Sequence, residues 1–286
     1  MIVKKDVGPD CHHLMDIYND TYNSKGTMIM IHGGGWHFQS KSAMVGIAHV
    51  FANQGYRVVC VSYPLLAFTF QQMMIVLVLL TLLFLCFLKL ELFWVWILFL
   101  GILSEYWSHQ PWLTVRDQVE AIKVQLQWIR GDSTEKVIVL GYSCGAHLGA
   151  MIAHQTHNVV DCCILISGIY DKSVLCELHG GSQLTFAGVD EFPTDYAMPV
   201  PVPQGLGLVP APQGLGLVPV RMLLLNASCD LNLKKQAYIY YHKLYEAGVY
   251  VKTLVVPDTN HWTVHRQWSS KRAWVRDYVM EFIHDK

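Results

Sequence analysis

The chain has 286 residues, with 21 Lys plus Arg against 22 Asp plus Glu and a formal net charge of −1. That balance excludes nucleic acid as the main partner, because phosphate neutralisation takes a basic surplus. At 52% hydrophobic and 15% charged, the chain can bury a large core, which excludes disorder along its whole length.

Strand-like and helix-like runs alternate. Residues 27–32 (TMIMIH) form a short apolar run ending at three glycines, which predicts a buried strand and a turn. Residues 41–54 read as a helix stopped by Gly55, and 56–62 (YRVVCVS) as a second strand. Pro111 is expected to open a helix that runs to Arg130 and closes at Gly131, with Val115, Val119, Ile122, Leu126 and Ile129 on its apolar face. Residues 136–140 (KVIVL) predict a strand that enters a turn and helix within GYSCGAHLGAMIAH. Strands are expected over 159–167, 220–226 and 249–256, and helices over 231–247 and 266–283. Continuous apolar strands alternating with helices imply a mostly parallel sheet covered by helices on both faces, an α/β architecture in a single domain over 1–286.

Two segments break this rhythm. Within 65–108, the run 73–103 is apolar apart from Thr81, Lys89, Glu91 and Gly101. One straight helix of that length would be about 46 Å long, enough for a tilted pass through a ~30 Å hydrocarbon core. A single pass, however, would separate the motifs on its two sides. The expectation is an apolar insertion acting as a monotopic anchor or a lid beside the site, with a spanning helix or a fold-disrupting insert as alternatives. The second segment is the tandem PQGLGLVPA/PQGLGLVPV over 203–220, which reads as a duplicated Pro/Gly-rich loop with no chemistry of its own. MIVKKDVGPD at the start has no apolar signal core, and none of the 8 cysteines forms a C-x-x-C pair. Reduced thiols in the cytoplasm are expected, with membrane contact through 73–103 on the cytosolic face.

The residues that carry chemistry lie at strand ends. Gly141-Tyr142-Ser143-Cys144-Gly145 is a G-x-S-x-G between a strand and a helix. A turn that sharp needs flanking residues almost without side chains, and it presents the Ser143 hydroxyl above the sheet as a nucleophile. His32-Gly33-Gly34-Gly35-Trp36 is expected to aim main-chain N–H groups into the site. Gly34, Gly35 and Cys144 would then supply the oxyanion donors, with His32 anchoring the loop.

A serine hydroxyl needs a base, and in this architecture the acid and then the His follow it in the chain. Of 14 histidines, His261 falls in the loop after the last strand, with His265 as competitor at the start of the terminal helix. Asp230 follows the preceding strand and is the candidate acid, although Asp at that position is also a common helix N-cap. Asp258, three residues from His261, is a weaker candidate. Cys11-His12-His13 and His157…Cys162-Cys163 lack zinc spacing, so no metal is expected.

At these motifs the chain resembles the α/β-hydrolase superfamily, and more narrowly the hormone-sensitive-lipase-like carboxylesterases and the kynurenine formamidases. The resemblance rests on Leu14-Met15-Asp16-Ile17-Tyr18, HGGGW (32–36), GYSCGAHL (141–148) and Ser167-Gly168-Ile169-Tyr170-Asp171, and it covers roughly 13–64 and 109–286 apart from the repeat. It implies an α/β-hydrolase fold and a serine hydrolase that cleaves a carboxylic ester or an N-formyl aryl amide without cofactor. Ser143, Asp230 and His261 take the roles of nucleophile, acid and base. The alternatives are a membrane esterase similar to isoprenylcysteine methylesterase, encouraged by the apolar run, and a non-catalytic binding protein on the same fold.

Overall fold

The computed structural model describes residues 3–21, 24–67, 113–131, 133–156, 159–173, 191–196 and 220–285, together with 78, 81, 101 and 189 singly. The apolar run 73–103, apart from three of those single positions, and the repeat up to residue 219 lie outside the described residues, as does Pro111. The anchor, lid and duplicated-loop expectations fall there. Among the described residues no helix is long and apolar enough to cross a membrane.

Among the described residues, eight strands form one sheet: β1 (Val3–Val7), β2 (Met15–Tyr18), β3 (Thr27–Ile31), β4 (Arg57–Val61), β5 (Val137–Tyr142), β6 (Cys162–Ile166), β7 (Arg221–Cys229) and β8 (Val251–Asn260). Their spatial order is β1-β2-β4-β3-β5-β6-β7-β8. β1 and β2 pair antiparallel with their neighbours, and every pair from β4 to β8 is parallel.

Among the described residues, the helices that flank the sheet are α1 (Val45–Ala52), preceded by a 3₁₀ turn at Lys41–Met44, α2 (Val115–Arg130), α3 (Cys144–Gln155), α4 (Leu233–Glu246) and α5 (Ala273–His284). They cover both faces, as predicted. Because side chains alternate along a strand, β3 sends Ile29 and Ile31 to one face and Met28 and Met30 to the other. The first set packs with Val119, Ile122 and Leu126 of α2, the buried side of α3, and Tyr240 and Leu244 of α4. The second packs with Phe51 of α1, Trp268, and Val279 and Phe282 of α5.

Several boundaries differ from the sequence expectation, each for a local reason. Helix α2 begins at Val115, because Thr114 and Asp117 close a capping box. The Asp117 carboxylate accepts from the Thr114 N–H at 2.7 Å. Strand β8 continues past Val256 to Asn260, re-pairing Cys229 with Asn260 after a register shift, so His261 follows the strand directly. Helix α5 starts at Ala273, and residues 261–272 are turns. His265 therefore does not open that helix. Strands β1 and β2 were not anticipated. VKKDV is mostly exposed and lacks an apolar alternation, and Asp16 interrupts β2 while being held by Lys41 at 3.0 Å.

Candidate active site

The ends of β3, β5, β7 and β8 converge at the carboxyl edge of the sheet, where parallel α/β sheets leave a crevice. Ser143 follows β5 with φ 56° and ψ −123°, a conformation that costs a non-glycine residue on the order of 1–3 kcal/mol. The neighbours show why only glycine can flank it. A Cβ on Gly141 would stand 2.2 Å from the Gly145 carbonyl oxygen, and one on Gly145 would stand 2.3 Å from that of Ile31. The Ser143 N–H is pinned to the Ile166 carbonyl at 2.8 Å, while the Ser143 carbonyl accepts from the first turn of α3.

The three residues expected to act together do meet. His261 Nε2 lies 3.1 Å from Ser143 Oγ, and His261 Nδ1 lies 2.8 Å from Asp230 Oδ1. Asp230 is 1% exposed, and Ser143 and His261 are 8% exposed each. The second carboxylate oxygen, Oδ2, accepts from the Ser167 hydroxyl at 2.7 Å, the Asn226 side-chain amide at 2.9 Å and the Ala227 N–H at 3.0 Å. Burial alone would raise the Asp230 pKa. Hydrogen bonds from His261, Ser167, Asn226 and Ala227 more than offset it and hold the carboxyl below the ordinary carboxylate range. A charged Asp230 fixes the Nδ1–H tautomer of His261, which leaves Nε2 facing the serine hydroxyl as an acceptor.

The competing residues are placed elsewhere. Asp230 is not the N-cap of α4, since Asn232, left-handed at φ 63°, holds that position. Asp258 is exposed, and the His261 ring bonds Asp230 instead. The His265 ring lies against Tyr142, tilted by 39° with the ring centroids 4.1 Å apart. Burial, with smaller contributions from Arg266 and His261, pushes the His265 pKa down to about 4.

The glycine loop is built as tightly as the elbow. Gly34 has φ 117°, and a Cβ there would meet the Phe38 carbonyl oxygen at 2.1 Å; Gly35 has φ 58° with open space around it. His32 is an anchor, as expected. Its Nδ1–H donates to the Gly33 carbonyl at 2.7 Å, its ring stacks on Tyr63 at 4.2 Å, and the Tyr63 hydroxyl donates to the His32 carbonyl at 2.8 Å. Burial lowers its pKa to about 4, so it is neutral.

Trp36 ties the loop to α3. Its N–H donates to Cys144 Sγ at 3.2 Å and its indole N–H to His147 Nδ1 at 2.9 Å. His147 in turn donates Nε2–H to the Glu191 carbonyl at 2.9 Å, and burial lowers its pKa to about 4. The Cys144 thiol is raised by burial, against which the amides of Trp36 and Gly35 act. Cys144 is therefore a buried acceptor under the loop and not a second nucleophile. Because Cys144 is the first residue of α3, its own N–H has no intrahelical acceptor.

The sequence reading did not single out Ser167, Asn226, Tyr142 or His147. Ser167, with φ 52° at the end of β6, had a signal in its strand-end SGIYD. Tyr142 and His147 are visible only through contacts distant in sequence, and Asn226 only through its bond to Asp230 four residues on. Among the described residues no group of three or more His, Cys, Asp or Glu side chains is arranged to hold a metal ion.

No protein-family model and no curated protein sequence matches the chain. Solved structures do. The Francisella virulence factor BioJ superposes with a TM-score of 0.64 at 16% identity, covering 100% of this chain and 85% of that one. An esterase from Rhizomucor miehei gives 0.62 at 15% identity over 99% and 82% of the two chains. Esterase B from Lactobacillus rhamnosis gives 0.59 at 16% over 98% and 83%. At these identities the likeness is one of fold, and the fold is that of the α/β-hydrolases.

Proposed function

We propose that this protein is a serine hydrolase that cleaves carboxylic esters through an acyl-enzyme. The observation that carries the reading is the continuous hydrogen-bonded chain from Asp230 through His261 to Ser143, at 2.8 and 3.1 Å. Ser143 Oγ attacks the ester carbonyl while His261 Nε2 takes its proton, and Asp230 stabilises the imidazolium that forms. Negative charge on the former carbonyl oxygen is met by main-chain N–H groups of the glycine loop, Gly34 foremost, and of Cys144 at the start of α3, while the Gly35 N–H, which faces the Cys144 sulfur, joins them only by turning from it. His261 then returns its proton to the leaving alkoxide. Water enters, His261 removes a proton from it, and the attack on the acyl-enzyme releases the acid and frees Ser143. The fold shared with structures described as esterases supports ester cleavage.

An N-formyl aryl amide can follow the same steps, with the amine as the leaving group that His261 protonates. The GYSCGAHL and HGGGW motifs support this second substrate class. Comparing hydrolysis of p-nitrophenyl acetate and N-formylkynurenine by the wild type and Ser143→Ala tests both. Turnover of either substrate that disappears in Ser143→Ala supports the reading. Wild-type protein, folded by circular dichroism, that is no faster than Ser143→Ala on both substrates argues against it.

A further inference from the structure

The residue before the nucleophile has a contact that the triad does not require. The Tyr142 hydroxyl donates to the main-chain carbonyl of His261 at 2.7 Å. Tyr142 is buried at the end of β5, with its ring 5.4 Å from the His261 ring and 4.1 Å from that of His265. Burial, followed by the charge of Asp230, raises its pKa, so the hydroxyl remains a donor at every pH the protein tolerates.

His261 is the first residue after β8, and residues 261–272 are turns rather than helix. The Asp230 bond fixes one edge of its imidazole, and the backbone around it is held by the pairing of Asn260 with Cys229 and by the Thr263 and Val264 N–H groups on the Asn260 carbonyl; none of these bonds runs to the elbow that carries Ser143. Tyr142 is bonded covalently to Ser143 and by hydrogen bond to the residue that carries the base. Any drift of the turn away from the elbow must break that bond.

We infer that Tyr142 is a positioning residue that straps the His261 turn to the nucleophile elbow and sets the Nε2–Oγ approach. This inference rests on the proposed hydrolase reading for its rate consequence but not for its geometry. Tyr142→Phe removes one oxygen and keeps the ring against His265, so the fold is retained. The expected result is a fall of about 3- to 10-fold in kcat at unchanged KM, and an equal fall in the rate of fluorophosphonate labelling per folded molecule. That is the size of one neutral buried hydrogen bond. A merely structural role would lower the unfolding midpoint and leave the per-molecule rates alone.

A second readout is independent of catalysis. The low-field Nδ1 proton of His261 should be sharp in the proton NMR spectrum of the wild type, and broadened by faster exchange in Tyr142→Phe. If wild-type protein fails to label, the hydrolase reading fails, and the NMR comparison still decides whether the strap exists. Wild-type labelling rates together with an unchanged low-field proton in Tyr142→Phe overturn the inference.

Discussion

Asp230→Asn is the substitution whose consequence the geometry fixes most tightly. Oδ2 faces the Ser167 hydroxyl, the Asn226 amide and the Ala227 N–H, and Oδ1 faces His261 Nδ1. An asparagine must place its oxygen on one side and its NH₂ on the other. The Ser167 hydroxyl and the Asn226 amide can turn round, but the main-chain N–H of Ala227 cannot. An NH₂ placed there leaves a buried donor unpaired, at about 1–3 kcal/mol. With the oxygen kept on that side, the NH₂ meets His261, whose neutral ring can switch tautomer at little cost and accept at Nδ1.

Nε2 then carries the hydrogen and points it at Ser143 Oγ, 3.1 Å away. The base becomes a donor in a protein that is still folded. A wrong-tautomer base of this kind costs about 10⁴ in rate, or roughly 5.5 kcal/mol. The assay is the labelling rate with a fluorophosphonate at neutral pH, normalised to folded protein, beside Ser167→Ala, which removes one donor but leaves the tautomer alone and should slow labelling less than about tenfold. Asp230→Asn that labels within tenfold of wild type would show that Asp230 does not set the tautomer.

Three further outcomes follow from the same structure. Gly34→Ala should abolish activity, because its Cβ would strike the Phe38 carbonyl oxygen at 2.1 Å, whereas Gly35→Ala, with open space but φ 58°, should cost only about 1 kcal/mol in urea unfolding; equal loss in both would contradict the loop geometry. His32 and His147 are buried and His265 is half-buried, all with pKa values near 4, against about 6.5 when unfolded. The unfolded chain takes up protons first, so their contribution is complete above pH 6.5 and is lost progressively as the pH falls toward 4, at up to ~1.4 kcal/mol per pH unit for each ring. Urea midpoints that stay flat between pH 7 and 5 would contradict that burial. His147→Ala should destabilise by about 1–3 kcal/mol through the orphaned Trp36 indole N–H, while His147→Gln, which can accept from Trp36, should recover part of the loss.

The parts of the fold legible in the sequence were those where a physical constraint acts over a few residues. Parallel strands buried on both faces must be continuously apolar, which exposed β3 through β7. Glycines forced by carbonyl oxygens a little over 2 Å from where a Cβ would stand marked both the elbow and the loop. Asp230 and His261, which the structure brings to Ser143, were singled out because chain order and strand ends restrict where an acid and a base can sit. What escaped was set by distant partners. The exposed VKKDV of β1 is a strand only because β2 pairs with it. The extension of β8 through Pro257 depends on re-pairing with β7. Nothing local distinguishes His147, which holds Trp36 from 111 residues away, or Tyr142, whose partner lies 119 residues on.

The most direct test of the central claim is to treat folded wild-type protein with a fluorophosphonate and map the adduct by peptide mass spectrometry. The account predicts a single covalent adduct on Ser143, absent from Ser143→Ala and slowed about 10⁴-fold in Asp230→Asn. Folded protein that carries no adduct, or carries one at another residue while Ser143 stays unmodified, would contradict it.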